Sequence, residues 1–192
     1  NLALSMAQER DYSVLLVDAD VAKPQTSEIF GAENEPGLLD ALEFGAAPDQ
    51  SMILPTDVDK LRILPAGKPR QNATELLSSD AMQQVVETLA QPDSRQIIIF
   101  DSPPLLQTTE SKVLSSLAGQ VIVIVRAEAT SQDAVCAAIS ALDEDQAVNL
   151  VLNQVRSGSG ELQYGYGYGH NYSRSRNVIE PVRMSSDGTN NG

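Results

Sequence analysis

Hydrophobic residues fall into short continuous blocks along this chain, and longer amphipathic stretches separate the blocks. Four blocks are rich in Val and Ile and lack regular polar alternation: residues 14–17, 97–100, 121–125 and 148–152. Blocks of this length and composition are typical of parallel strands that are buried on both faces. The pattern predicts an α/β fold in three layers, with a mostly parallel sheet and helices on both of its faces.

The order of elements follows from the same spacing. Strands are predicted at residues 13–17, 61–64, 96–100, 121–125 and 148–152, and helices at residues 1–10, 38–44, 74–89, 110–117 and 131–142, with a short helix near Glu28. In the 74–89 segment the apolar residues recur at the spacing of one helical face, and Thr74 is available as its cap. Glu110 is interpreted as a helix-start acid that the helix dipole favours.

The composition excludes two classes of partner. The formal net charge of -13 would repel phosphate backbones, which nucleic-acid-binding proteins meet with a basic stripe. Each apolar block is too short to span a bilayer, which takes about 20 apolar residues, so direct membrane insertion of this segment is not expected. The single cysteine, Cys136, lies in an apolar-periodic stretch and is interpreted as a small buried hydrophobe in a protein of the reducing cytoplasm.

Two of the predicted strands run directly into acidic residues. Asp18 and Asp20 follow the first apolar block, and Asp101 follows the second, just before the rigid turn Pro103-Pro104. Open α/β sheets bind ligands at the carboxyl ends of their strands, so the fold delivers these carboxylates to one site. A single acid at a strand end commonly starts a turn. Its recurrence favours nucleotide chemistry, in which such an Asp holds Mg²⁺ opposite the phosphates.

The composition changes abruptly after Arg156. Residues 157–192 are too poor in aliphatic side chains to offset the entropy of ordering, so we predict a disordered tail after a domain at residues 1–156. A flexible Gly-rich segment can carry a hydroxyl group to an active site. Four tyrosines are therefore candidate phosphate acceptors: Tyr164, Tyr166, Tyr168 and Tyr172. The alternative is a low-complexity tail that is not phosphorylated.

Several motifs together resemble the bacterial tyrosine kinases, which are P-loop NTPases of the MinD/ParA type. Residues 14–24 (VLLVDADVAKP) are similar to the family's second Walker-type motif, residues 101–104 (DSPP) to its Walker B motif, and residues 150–153 (LVLN) to its nucleotide-base segment. The resemblance covers nearly the whole chain. Residues 20–24, with the tyrosine-rich tail, look most like the autokinase found with exosortase-linked exopolysaccharide loci.

The resemblance implies a role for each residue that matches these motifs. Asp18 would associate with Mg²⁺ and activate the tyrosine hydroxyl, Asp20 would support it, and Asp101 would hold Mg²⁺ through water. Lys23, where many relatives have Arg, would supply a point charge; the alternative is a solvated loop residue. Asn153 would hydrogen-bond the adenine of ATP; the alternative is a turn residue at a strand end.

One motif of the family does not occur in these 192 residues: the Gly-rich phosphate loop that ends in Lys followed by Ser or Thr. In the family it lies just upstream of the helix that residues 1–10 are expected to continue, and that helix has no start signal here. We therefore expect a longer parent protein. Alone, this chain is expected to bind ATP poorly and to transfer no phosphate.

The resemblance implies a protein-tyrosine autokinase that regulates exopolysaccharide biosynthesis and export, with ATP and Mg²⁺ as cofactors. It also implies a cytoplasmic homo-oligomer, held at the inner face of the plasma membrane by a chain-length determinant or polysaccharide-export partner. Two other functions stay open: an ATP-driven switch of the partition or septum-positioning type, and a catalytically silent interaction module. Such switches more often end in a basic or amphipathic helix than in a tyrosine-rich tail.

Overall fold

A computed structural model describes residues 1–90 and 95–155 of the chain. The strands are β1 (Ser13–Asp18), β2 (Leu54–Pro55), β3 (Leu61–Leu64), β4 (Gln96–Asp101), β5 (Val121–Arg126) and β6 (Val148–Asn153). The helices are α1 (Leu2–Ala7), α2 (Gln25–Ile29), α3 (Leu38–Glu43), α4 (Ala73–Leu77), α5 (Asp80–Leu89), α6 (Glu110–Leu117) and α7 (Gln132–Ser140), and a single 3₁₀ turn spans Gln50–Met52.

The strands form two sheets. In the first sheet, of order β2-β3-β1-β4, the central strand β1 runs parallel to both β3 and β4, and only the short β2 is antiparallel. In the second, β5 pairs with β6 in parallel register. The mostly parallel α/β fold predicted from the sequence is confirmed.

Apolar cores lie on both faces of the first sheet, because successive side chains of a strand point to opposite faces. Leu15 and Val17 of β1 join one buried cluster with residues of α3, α4 and α5. Val14 of the same strand joins the other cluster, with Ala3 and Ala7 of α1. Helices therefore cover both faces, as the sequence predicts.

The predicted helix at residues 74–89 is wrong in one respect, because the segment forms two helices. α4 ends at Leu77 and α5 begins at Asp80, while Ser79 between them is extended and its hydroxyl donates to the carbonyl oxygen of Leu76 at 2.7 Å. Serine competes for backbone hydrogen bonds in this way, and that breaks the helix. Thr74 lies inside α4 and caps neither helix; its hydroxyl donates to a carboxylate oxygen of Glu110.

The predicted burial is also wrong for the second sheet and for Cys136. Ile124 of β5 is 56% exposed and Leu152 of β6 is 59% exposed, although their strands are as apolar as β1. Cys136 on α7 is exposed as well. Within the described residues β5 and β6 pair only with each other, so neither has the flanking strands that enclose β1.

Candidate functional site

Asp18 and Asp101 lie side by side at the carboxyl edge of the first sheet. Each is the last residue of its strand, and the register of β1 and β4 pairs their Cα atoms directly. The N–H of Ala19 donates to the carbonyl oxygen of Asp101 at 2.8 Å, which fixes the two strand ends together. The parallel sheet therefore brings both predicted acids to the edge at which such folds bind ligands.

The carboxylate of Asp18 is fully enclosed, with 0% of the residue exposed. Its Oδ2 accepts two hydrogen bonds from Ser27, one from the backbone N–H at 2.7 Å and one from the hydroxyl at 2.6 Å. Its Oδ1 is buried and accepts no hydrogen bond from the part of the chain that the structure describes. Burial raises the pKa of Asp18, the hydrogen bonds from Ser27 and the nearby backbone N–H of Asp20 oppose that rise, and the charge of Asp101 adds to it.

Asp101 has a different environment from Asp18. The residue is exposed, and its Oδ2 accepts a hydrogen bond from the hydroxyl of Thr26 on α2. The turn after it is anchored by Ser111, whose buried hydroxyl donates to the carbonyl oxygen of Pro103 at 2.7 Å. Neighbouring residues of α2, Thr26 and Ser27, thus each hold one of the two strand-end acids.

Asp20 holds the loop that follows β1. Its Oδ1 accepts from the backbone N–H of Lys23 at 3.2 Å, and its own carbonyl oxygen accepts from the same N–H at 3.0 Å. Asp20 is half-buried, whereas Lys23 is exposed. The structure therefore brings together Asp18 and Asp101, and it gives the Asp20 carboxylate a partner within its own loop.

Sequence reasoning missed Thr26 and Ser27. Both lie in the first turn of α2, which begins directly after Pro24. Backbone N–H groups in a first helical turn have no partner inside the helix, and the N–H of Ser27 meets the Asp18 carboxylate instead. The available signal was a run of short polar residues that directly follows the strand-Asp motif and Pro24. Proline is favoured near the start of a helix, so it marks these residues as a first helical turn.

The donor set suits Mg²⁺ bound together with phosphates better than a free-standing metal site. The described part of the chain contains no group of three or more Asp, Glu, His or Cys side chains placed to hold a metal ion. Mg²⁺ is commonly held by one or two carboxylates, with phosphate oxygens and water completing its shell. The exposed carboxylate of Asp101 fits that requirement, as does the enclosed Oδ1 of Asp18, which has no partner among the residues that the structure describes.

A family of known domains covers this whole arrangement. The AAA domain matches residues 1–153, which include α2 and all three acids. The chain belongs to the AAA-domain family. A curated relative, the tyrosine-protein kinase wzc of Salmonella typhimurium, is 30% identical over 168 residues, which are 85% of this chain and 23% of that protein. This AAA domain therefore spans less than a quarter of that relative's length.

Solved structures place the AAA domain among the tyrosine kinases. The crystal structure of the VpsO kinase domain matches it with a TM-score of 0.71 and 28% identity, over 81% of this chain and 75% of that one. The MinC:MinD complex of Aquifex aeolicus matches with a TM-score of 0.61 and 21% identity, over 81% of this chain and 60% of that one, and so shares the fold. The predicted membership in the bacterial tyrosine-kinase type of P-loop NTPase is confirmed.

Asn153 ends β6 in the second sheet of the AAA domain, whereas Asp18 and Asp101 end strands of the first. It is exposed, and its Oδ1 accepts from the backbone N–H of Gln154 at 2.8 Å, in a turn where Gln154 has a φ of 57°. That contact belongs to a strand-end turn, and contact with adenine stays a prediction.

Glu110 begins α6, and the hydroxyl of Thr74 lowers its pKa.

The four predicted acceptor tyrosines, Tyr164, Tyr166, Tyr168 and Tyr172, lie outside the described residues. The domain boundary predicted after residue 156 also lies outside the described residues and stays a prediction. Across residues 1–90 and 95–155, no helix has the length and apolar character needed to cross a membrane.

Proposed function

We propose that this AAA domain is the nucleotide-binding part of a protein-tyrosine autokinase that regulates exopolysaccharide biosynthesis and export. The proposal rests on the geometry of the two strand-end acids: Asp18 and Asp101 end paired strands, and one enclosed oxygen of Asp18 has no partner within residues 1–90 and 95–155. The names of the relatives point to protein-tyrosine phosphorylation. Because the chain covers only 23% of the wzc relative, the activity of the whole protein belongs to this proposal.

The residues divide the work of phosphoryl transfer between them. Bound ATP would supply the phosphoryl group, and Mg²⁺ would neutralise the charge on its phosphates. Asp18 accepts the proton of the tyrosine hydroxyl, and its raised pKa makes it a better base than an exposed Asp. Asp101 would hold Mg²⁺ through water, Asp20 keeps the loop after β1 in place, and Lys23 adds a positive charge at its rim.

The proposed active domain also includes protein outside these 192 residues. The sequence has no Gly-rich phosphate loop with Lys and Ser or Thr. In addition, β4, α6 and β5 form a strand-helix-strand unit, yet β4 and β5 do not pair with each other in the described structure. A further strand could pair with both. We therefore propose that the isolated chain binds ATP weakly and that the parent protein carries the activity.

Other parts of the proposal concern the acceptors and the partners. Tyr164, Tyr166, Tyr168 and Tyr172 accept the phosphate, and each phosphate adds about -1.5 to -2 charges to the tail of an acidic protein. Transfer runs between subunits of a homo-oligomer. The oligomer works in the cytoplasm, at a membrane protein that controls polysaccharide chain length or export.

Phosphotyrosine mapping tests this function. The parent protein, incubated with Mg²⁺ and ATP, should gain phosphate on the tail tyrosines in mass spectrometry, and Asp18→Asn should abolish the gain. Asp59→Asn is the matched control, because Asp59 is exposed and precedes β3 at the opposite edge of the sheet. A parent protein without phosphotyrosine, or equal activity of the two variants, would refute the proposal.

A second function has one observation in its favour, the fold shared with the MinC:MinD complex at a TM-score of 0.61. An ATP-driven switch would use the same acids to hydrolyse ATP and would signal through dimerisation. It predicts ADP release and ATP-dependent self-association without any phosphotyrosine. Sedimentation of the parent protein with ATP and with ADP, beside the phosphotyrosine map, separates the two functions.

A further inference from the structure

Ser27 has no role in the proposed function so far, yet it makes two hydrogen bonds to one of the proposed active-site acids. It is 1% exposed, lies in the first turn of α2, and gives both of its donors to Oδ2 of Asp18. We propose that Ser27 is a positioning residue for phosphoryl transfer, which holds Asp18 in the one orientation that leaves Oδ1 for magnesium or the tyrosine hydroxyl. This inference rests on the proposed kinase function.

Two donors on one oxygen fix the carboxylate where one donor would not. A single hydrogen bond lets a carboxylate turn about its Cβ–Cγ bond, because the terminal torsion of Asp is broad. The N–H of Ser27 at 2.7 Å and its hydroxyl at 2.6 Å approach Oδ2 from different atoms of the same residue. Oδ2 is therefore occupied, and Oδ1 is the oxygen that remains.

The direction of the Ser27 hydroxyl is itself fixed. A hydroxyl has one proton and two lone pairs, and the N–H of Ala66 donates to this oxygen at 3.0 Å. With that lone pair engaged, the proton points to Asp18, and the two hydrogen bonds strengthen each other. Ser27 thus joins the end of β1 to the loop that follows β3.

That loop is held by α3 on its other side. The backbone N–H groups of Leu38 and Leu39 donate to the carbonyl oxygens of Pro65 and Ala66 at 2.8 and 2.9 Å. Ala66 is buried, so its N–H cannot turn to water when Ser27 changes. The hydroxyl of Ser27 is therefore supported by two elements besides its own helix.

A comparison with Ser111 separates positioning from ordinary packing. Ser111 is also buried, at 3% exposure, but its hydroxyl donates to a backbone carbonyl oxygen, that of Pro103. The hydroxyl of Ser27 donates to a carboxylate that already has a backbone donor, and the second oxygen of that carboxylate has no partner in the described part of the chain. A purely structural arrangement would satisfy both oxygens of an enclosed carboxylate.

The experiment compares Ser27→Ala with Ser27→Thr in the full-length parent protein. Ser27→Ala removes the hydroxyl and keeps the backbone donor, and Ser27→Thr restores a hydroxyl. Thr56→Val is the control, since its hydroxyl donates to the carbonyl oxygen of Leu61 at 3.0 Å, at the far edge of the sheet. Steady-state kinetics give kcat and KM for ATP, and electron paramagnetic resonance gives the affinity for Mn²⁺ in the presence of ADP.

Ser27→Ala should lower kcat and weaken Mn²⁺ binding by about 10- to 100-fold each, the usual effect of losing an outer-shell hydrogen bond. KM for ATP should rise by no more than the loss in Mn²⁺ affinity, because metal and nucleotide bind together, whereas the fall in kcat reports the positioning of the reacting groups. Ser27→Thr should recover most of both values. Thr56→Val should match the unmodified protein in both.

Normal kcat and normal Mn²⁺ affinity in a folded Ser27→Ala would overturn the inference while the kinase function stands. A parent protein without phosphotyrosine and without Mn²⁺ binding would refute the proposed function instead, and the inference with it. If Ser27→Ala fails to fold, Ser27→Cys has nearly the same volume and only a weak donor, and it should show the same loss.

Discussion

A single carbon atom added at Gly37 should displace the loop that supports the site. A Cβ at residue 37 would lie 2.0 Å from the carbonyl oxygen of Pro65 and 2.6 Å from the backbone nitrogen of Gly67. Both are backbone atoms, so no side-chain rotation relieves the contact. In Gly37→Ala the loop at residues 65–67 must therefore withdraw from α3 by about 1 Å or more.

The cost can be worked out from the contacts that this withdrawal breaks. The hydrogen bonds from Leu38 to Pro65 and from Leu39 to Ala66 are lost, at about 1 kcal/mol each. Overpacking of a closely packed position adds about 1–3 kcal/mol. We expect the free energy of unfolding to fall by about 3–5 kcal/mol, a large part of the about 5–15 kcal/mol that stabilises a domain.

Urea unfolding followed by circular dichroism measures this change. Gly119→Ala is the matched control, because a Cβ at Gly119 meets nothing within 4 Å and should shift stability by less than about 0.5 kcal/mol. A folded Gly37→Ala should also have low kinase activity, since the withdrawn loop takes the Ala66 N–H away from Ser27. Equal stability of Gly37→Ala and Gly119→Ala would show that the loop is not held as closely as described.

Three further predictions concern charged residues. Burial raises the pKa of Asp18 above its ordinary 3.8, so folding disfavours its charged form, and the stability of the unmodified protein relative to Asp18→Asn should fall as pH rises above about 4. Urea unfolding of both proteins across pH measures this, and a relative stability that rises with pH would contradict it. Arg70→Ala should cost about 1–3 kcal/mol, because Arg70 donates to the buried Asp40 carboxylate at 2.9 Å, and an unchanged unfolding midpoint would refute it. Thr74→Val should raise the pKa of Glu110 in a carboxyl-carbon NMR titration, since the Thr74 hydroxyl is the main cause of its lowering.

The central sheet and its acids could be predicted because they depend on local sequence. Continuous apolar blocks such as residues 14–17, of Val and Leu, are typical of the buried parallel strands of an α/β protein, and the carboxyl ends of such strands lie at the edge that binds ligands. The convergence of Asp18 and Asp101 at that edge follows, because each acid directly follows an apolar block of the same parallel sheet. Their direct pairing depends on β1 lying beside β4, a non-local contact that the structure shows.

The contacts of Thr26 and Ser27 could not be predicted in the same way, because they depend on which distant segments of the chain the fold places beside α2. The sequence separation between Thr26 and Asp101 is 75 residues, and that between Ser27 and Ala66 is 39. Short polar residues at a helix start are ordinary caps in most proteins, so their composition carries no sign of these partners. The exposure of β5 and β6 was missed for a related reason, since burial depends on neighbouring strands and not on a strand's own apolar character.

The two strand-end acids show how one sheet edge can give two carboxylates different chemistry. Asp18 ends a strand that is paired on both sides, with apolar clusters above and below it, so its charge is enclosed and its pKa is raised. Asp101 ends β4, which pairs only with β1 in the described structure, and its carboxylate is exposed. Under the proposed function, such a difference in environment suits the enclosed acid to proton transfer and the exposed one to charge binding. Within the described residues Oδ1 of Asp18 has no hydrogen-bond partner, and because a buried acceptor in that state costs stability, a ligand donor that reaches it should stabilise the domain.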